Sequence, residues 1–287
     1  MKKNNIIYIK IALLLLIIIV LYNIFINKKE SFEQKQKIYA MTFGGGGQNY
    51  YDAVNRINNE LKVINIFDDI ILKYDTDLKN DIEFWNKHGN FIENNKRGYG
   101  YWLWKPYLIL KMFDIMNDND ILIHLDAGCE VINNKDSYDK IKLLIEKCNT
   151  HNMLYTLAGN VNEKQYTKMD LFNYMNDNYE LIINDELKNS IMNQATIIII
   201  KKNDLTTKFI NDWYNISCNY NLIDDTPSNE KNDISFIEHR HTQSTMSILL
   251  KTNKYNNYLN TDNNKLLDNF NETNDIYPFL LSRKRNG

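Results

Sequence analysis

Between residues 38 and 250 the apolar positions switch between short unbroken runs and a period near 3.6, which predicts strands interleaved with helices. Residues 38–43 read as a first strand that runs into four consecutive glycines, 44–47. Tyr51, Val54, Ile57 and Leu61 recur on one face, so 50–61 reads as a helix. Residues 63–67 read as a second strand, and 78–92 as a helix with Ile82, Trp85 and Phe91 inward. Pro106 suits the first turn of a helix continuing to Met116. Asp118, Asn119 and Asp120 make a turn before the short apolar run 121–125, a buried strand. Further on, 138–148 reads as helix, and 153–157 and 197–200 as strands. Asn203 or Asp204 caps a helix through Trp213, and Thr242 caps a last helix over 243–250. The polar stretch 219–233 reads as a mobile loop, and the tail beyond Tyr255 carries only a weak structural signal. Strands alternating with helices argue an α/β sheet covered by helices on both faces.

Residues 6–26 differ in kind, being almost wholly apolar and interrupted by Lys10 and Asn23. At about 1.5 Å per residue this length just spans a hydrocarbon core of about 30 Å. The expectation is an uncleaved anchor: tail and transmembrane helix over 1–27, a short stem over 28–36, and a folded domain over 37–287. A cleaved signal peptide is the rival reading, but no small-x-small site follows the apolar run. A short N-terminal tail before a long C-terminal domain favours a type II, single-pass arrangement, although Lys2 and Lys3 face Lys28 and Lys29 across the span. The compartment expected is Golgi or endoplasmic reticulum in a eukaryote and the cell envelope in a bacterium.

Composition narrows the partners. With 44% hydrophobic and 12% aromatic residues the chain can build a large core. A net charge of -2 gives no sign of a nucleic-acid partner. Cysteines occur only at 129, 148 and 218, which match neither a zinc spacing nor an evident disulfide framework.

Three clusters carry candidate chemistry. In the first, Arg97 to Tyr107, two glycines, Gly98 and Gly100, stand among Tyr99, Tyr101, Trp102 and Trp104, with Arg97 and Lys105 as cations. Arg and Lys suit phosphates, and flat rings stack on a base or sugar; the alternative is ordinary core packing, expected for at least one of Trp102 and Trp104. In the second, Asp126 ends the apolar strand 121–125, where α/β sheets place their ligands. A carboxylate there can hold Mn²⁺ or Mg²⁺ or can cap a turn; Glu130 is either a second ligand or solvent-facing. The third, Glu238-His239-Arg240-His241-Thr242-Gln243-Ser244, offers an anion or metal environment, or simply the start of a helix. Gln194, Lys168 and Asp170 are weaker candidates, Asp170 as an acceptor-side base or an exposed helix residue. The loop at Gly44 to Gly47 lacks the Lys-Ser/Thr ending of a P-loop.

With Tyr166-Thr167-Lys168-Met169-Asp170-Leu171-Phe172 between them, these clusters resemble those of GT-A-type glycosyltransferases in order and spacing, over roughly residues 37–250. The resemblance implies a GT-A (Rossmann-like) mixed sheet flanked by helices. It implies sugar transfer from a nucleoside diphosphate sugar to a carbohydrate or glycoconjugate acceptor, assisted by Mn²⁺ or Mg²⁺. Carried onto this chain, Asp126 looks like the leading aspartate of the metal element; with Asp170 or Glu238 as an acceptor-side base, these are the catalytic candidates. Gly44, Arg97, Tyr101, Trp102, Lys105, Gln194, Arg240 and Gln243 are the donor-binding candidates, and Asp126, Glu130 and His241 the metal ligands. Two departures stand out: Gly128 replaces the second aspartate of the metal element, and Thr242 stands where Asp is expected. A non-catalytic, membrane-tethered nucleotide- or glycan-binding protein on the same fold is the alternative reading.

Overall fold

The strand β1 (Ile38–Gly44) is buried along its whole length and lies second from one edge of a six-stranded sheet. The other strands are β2 (Asp69–Tyr74), β3 (Ile121–Leu125), β5 (Met153–Asn162), β6 (Ile191–Lys201) and β7 (Lys265–Leu266), in the order β2-β1-β3-β6-β5-β7. A separate ribbon pairs β4 (Glu130–Val131) with β8 (Phe279–Leu280). β1 runs parallel to β2 and β3, β6 runs antiparallel to β3 and β5, and β5 is parallel to β7, so the sheet is mixed. This computed structural model describes residues 14–22, 35–266 and 278–284.

Alternation along the strands sorts the core into two layers. Ile38, Ala40, Ile121, Ile123, Ile197 and Ile199 face one side. There the helices Gln48–Ile64 and Lys135–His151 supply Ile57, Leu61, Ile141 and Cys148. Tyr39, Met41, Phe43, Leu122, Ile198 and Ile200 face the other side, against the helices Trp104–Ile115, Asp204–Ser217 and Thr242–Leu250. The same parity sends His124 and Asp126 toward the side of helix Trp104–Ile115. After β1 the chain adds β2 on one flank and β3 on the other, so the carboxyl ends of β1 and β3 bound the crevice at which sheets of this kind bind ligands.

Several expected elements shift. The helix over 50–61 runs on as Gln48–Ile64, because Ile64 continues the buried stripe of Ala53, Val54, Ile57 and Leu61. It ends on Asn65 in the left-handed region, so the second strand lies at 69–74 instead of 63–67. The helix expected over 78–92 is two, Asp75–Asn80 and Ile82–Asn94, divided where Asp81 caps the second through Phe84 N. Thr242 is not a cap: helix Thr242–Leu250 begins on it, and the cap position is His241, without a side-chain cap bond. The stretch 219–233 is fastened, with Leu222, Ile223 and Asp224 buried and Lys168 Nζ bound to Asn221 O and Asp224 Oδ1, both at 3.0 Å. All three cysteines are free.

The described chain divides into two compact units, Met1–Gln36 and Lys37–Gly287. Within the first, residues 14–22 are helical with their apolar side chains exposed. The rest of the anchor expected over 6–26, and nearly all of the stem over 28–36, lie outside the described residues. Among the described residues no helix is long and apolar enough to cross a membrane.

Candidate active site

β3 delivers Asp126 to the crevice, and helix Trp104–Ile115 meets it with Lys105. The Lys105 ammonium lies 2.7 Å from Asp126 Oδ1 and donates to Ala195 O at 2.7 Å. Lys105 is only 3% exposed, whereas Asp126 keeps 27% of its side chain open. His124 Nε2 lies 3.4 Å from the same Oδ1. Both partners therefore lie against one buried oxygen, with Lys105 as its ion-pair partner, and the open share of Asp126 belongs to the rest of its side chain. Burial pushes the Asp126 carboxyl up, but Lys105 and His124 outweigh it and hold its pKa below the usual range. Burial, reinforced by Lys105, holds the pKa of His124 down against the pull of Asp126, so its ring is neutral at pH 7. The Asp126 amide donates to Thr196 O, and Cys129 N returns to Asp126 O, closing a tight turn. Arg56 braces that turn from helix Gln48–Ile64, donating to Ala127 O at 2.9 Å and Cys129 O at 2.8 Å.

The aromatic loop lies against this pair. Five consecutive residues have positive φ: Gly98 58°, Tyr99 54°, Gly100 81°, Tyr101 54° and Trp102 61°. The three aromatics carry a left-handed backbone at a cost of roughly 1–2 kcal/mol each. Ring contacts and backbone bonds offset it. Phe43, at the end of β1, packs on Tyr99 at 5.9 Å and on Trp104 at 4.1 Å, and Trp104 Nε1 donates to Gly98 O at 3.0 Å. Tyr101 and Trp102 both stack with His241, at 4.6 and 5.5 Å. Trp104 is core at 4% exposure, while Trp102 stays half-buried. The glycines are required by space as well as by φ: a Cβ would lie 2.4 Å from Trp102 at position 98 and 2.6 Å from Ile92 at position 100.

The remaining candidates fall into groups. Gln243 Oε1 accepts from Ala195 N at 3.5 Å, and Gln194 Oε1 accepts from Thr156 Oγ1, so both lie along β6 beside the Lys105 contact. Arg97 bridges Asp225 at 3.2 Å and Glu238 at 2.9 Å, and Glu238 also meets Arg240 Nε at 3.0 Å. Arg240 lies over the Tyr166 ring. Gly44 serves packing, since a Cβ there would come within 2.6 Å of Tyr50 O. Asp170 fastens a loop, accepting from Asn229 N at 2.8 Å and Glu230 N at 2.9 Å, and these bonds hold its pKa low against the opposing push of burial. The structure thus joins Asp126, Lys105, Gln194 and Gln243 in one group, and Arg97, Tyr101, Trp102, Glu238, Arg240 and His241 in a second. Segment 97–105 connects the two. A cavity of about 280 Å³ lined by Lys73, Asp81, Tyr107 and Lys111 shares none of these residues.

Of the three expected metal ligands, Asp126 stays partly open, Glu130 is paired elsewhere and His241 is bonded through one of its two ring nitrogens. Glu130 pairs with Lys284 at 2.9 Å. His241 Nδ1 bonds Ile223 O at 2.7 Å, and burial lowers its pKa to about 4. Among the described residues no group of three or more His, Cys, Asp or Glu is arranged to hold a metal ion. Glu130 and His241, as placed, do not converge with Asp126 into a protein-only shell for Mn²⁺ or Mg²⁺.

Three residues that shape this site were missed in the sequence: His124, Arg56 and Asp225. Strand alternation alone places His124 beside Asp126. The other two act across chain separations that no local pattern reveals.

No protein-family model matches this chain, and no curated protein does. Eight chains of solved structures match. One is the crystal structure of mouse xyloside xylosyltransferase 1 in its apo form, at a TM-score of 0.40 and 10% identity over 74% of this chain and 81% of that one. So loose a likeness carries no argument, and the site must speak for the chemistry.

Proposed function

We propose that the protein is a glycosyltransferase that moves a sugar from a nucleoside diphosphate sugar to a carbohydrate or glycoconjugate acceptor. The observation that carries this reading is Asp126: ionised, partly open, held by Lys105 and His124 at the carboxyl end of β3, beside a strained aromatic loop. Lys105 and His124 fix the carboxylate, and its open edge accepts hydrogen bonds from hydroxyls of the donor. Trp102, half-buried in a backbone that costs energy to maintain, offers a ring to the base or sugar. Arg97 and Arg240 stand at the rim, where their guanidinium groups hold Glu238 in place. Positioning the donor against the acceptor hydroxyl supplies the remaining acceleration. Glu238 lies between those two guanidinium groups and is the acceptor-side carboxylate of this reading, since Asp170 is occupied by its loop. A membrane tether belongs to this reading on the strength of the apolar run over residues 6–26 in the sequence.

The test is incubation of the purified protein with a panel of nucleotide sugars, with and without acceptor glycans, reading released nucleotide. Acceptor-dependent release is the expected result. Release that ignores the acceptor would indicate a hydrolase, and binding without release a non-catalytic receptor; either replaces the transferase reading.

A further inference from the structure

Gly128 stands two residues after Asp126, where a second carboxylate of a metal element is expected. Its φ lies outside the left-handed region, so the backbone does not demand glycine. Space is tight at one point: a Cβ there would lie 3.3 Å from Arg283 Cα, a few tenths of an ångström too close, and in ordinary contact with Arg283 C at 3.6 Å and Lys284 N at 3.8 Å. The segment 282–284 crosses the Asp126 turn at this point and is pinned to it. Lys284 N donates to Gly128 O at 2.9 Å, Ser282 Oγ donates to the same oxygen at 3.3 Å, and Lys284 Nζ meets Glu130 at 2.9 Å. Arg56 ties the two strips together, donating to Lys284 O at 3.2 Å as well as to Ala127 O and Cys129 O. The β4–β8 ribbon continues the attachment.

Arg283 sits at the crossing with φ 54°, a left-handed backbone that is costly for a residue bearing a side chain. Its side chain is exposed and has no partner among the described residues. The other cations around the site are neutralised: Lys105 by Asp126, Arg97 by Asp225 and Glu238, Arg240 by Glu238, and Lys284 by Glu130. A diphosphate arriving beside Asp126 needs positive charge, and an arginine answers it with paired N–H donors.

We infer that segment 282–284 is a cationic strap of the donor site, filling the place of a second metal-ligating carboxylate and presenting Arg283 to the diphosphate, which then binds without a divalent metal. This inference rests on the glycosyltransferase reading and deepens it. Gly128 is the clearance that lets the strap close, Arg56 and Lys284 fasten it, and Arg283 is the phosphate contact.

Calorimetric titration of the full-length protein with UDP, GDP, CDP and ADP, each in EDTA and in Mn²⁺, tests it. At least one nucleotide should bind in EDTA as tightly as in Mn²⁺. Arg283→Ala should weaken that binding about tenfold, the scale of one lost charged hydrogen bond, without moving the unfolding midpoint, and Arg283→Lys should restore part of it. Gly128→Ala, which pushes against the strap, should weaken binding in the same direction. Should Gly128→Ala fail to fold, the exposed Arg283→Ala still decides. Binding that requires Mn²⁺, or an Arg283→Ala variant that binds as the wild type does, would overturn the strap and leave the nucleotide-sugar reading standing. No binding of any nucleotide in either condition would overturn that reading itself.

Discussion

Asp126 gains its character from two neighbours with different demands. Lys105 supplies charge, and neutral His124 fills the remaining approach to Oδ1. Removing Lys105 leaves a largely enclosed carboxylate without its counter-charge, so Lys105→Ala should lower stability by about 2 kcal/mol or more, read from urea denaturation. An unchanged midpoint would show that the pair contributes nothing. Asp126 was legible in the sequence because an apolar run delivered it. Lys105 was legible as a cation, but its role was not. Its Nζ is taken up by Asp126 and Ala195 O, partners that no local spacing discloses. His124, alone in an apolar strand, reads as core until β3 is seen to direct residues 124 and 126 to one face.

At the scale of the element, the segment 97–105 was visible through its density of rings and glycines, while its left-handed path was not. Gly100 and Gly46 both have positive φ, but a Cβ at 100 would meet Ile92 at 2.6 Å and one at 46 nothing nearer than 3.4 Å. Gly46→Ala should therefore cost about 1 kcal/mol from backbone strain alone, and Gly100→Ala clearly more because overpacking adds to it. Thermal unfolding of the two variants gives the comparison, and equal losses would argue against a sterically locked loop. The misplaced second strand has a plain cause. Ile64 extends the helical stripe by one turn, whereas β2 is an edge strand of partly buried residues whose alternation is faint. Cap chemistry misled similarly at Thr242: it is buried, and its carbonyl accepts from Trp213 Nε1 at 2.8 Å, so the position is set by packing.

For the whole molecule, the alternation of strands and helices foretold an α/β sheet, but not the order β2-β1-β3-β6-β5-β7, which depends on pairings between distant segments. Burial gives the molecule a pH dependence. It lowers the pKa of His88 to about 4, His239 to about 3 and His241 to about 4, and that of His124 in the same direction. Each is neutral when folded and takes up a proton near pH 6.5 when unfolded. Their stabilising contribution is complete above about pH 6.5 and is lost as pH falls toward 4, by at most about 1.4 kcal/mol per pH unit for each histidine. Denaturation at pH 7, 5.5 and 4.5 should show a steady decline that His88→Gln makes shallower; a flat profile would contradict the buried, neutral histidines. The most direct measurement of all is the rate of acceptor-dependent nucleotide release by Asp126→Asn, a variant of nearly identical shape. The expected result is a fall of at least about 100-fold with the protein still folded, as when a preorganised electrostatic contact is removed. A rate within a few fold of the wild type would place the chemistry elsewhere and contradict the assignment of Asp126 to the active centre.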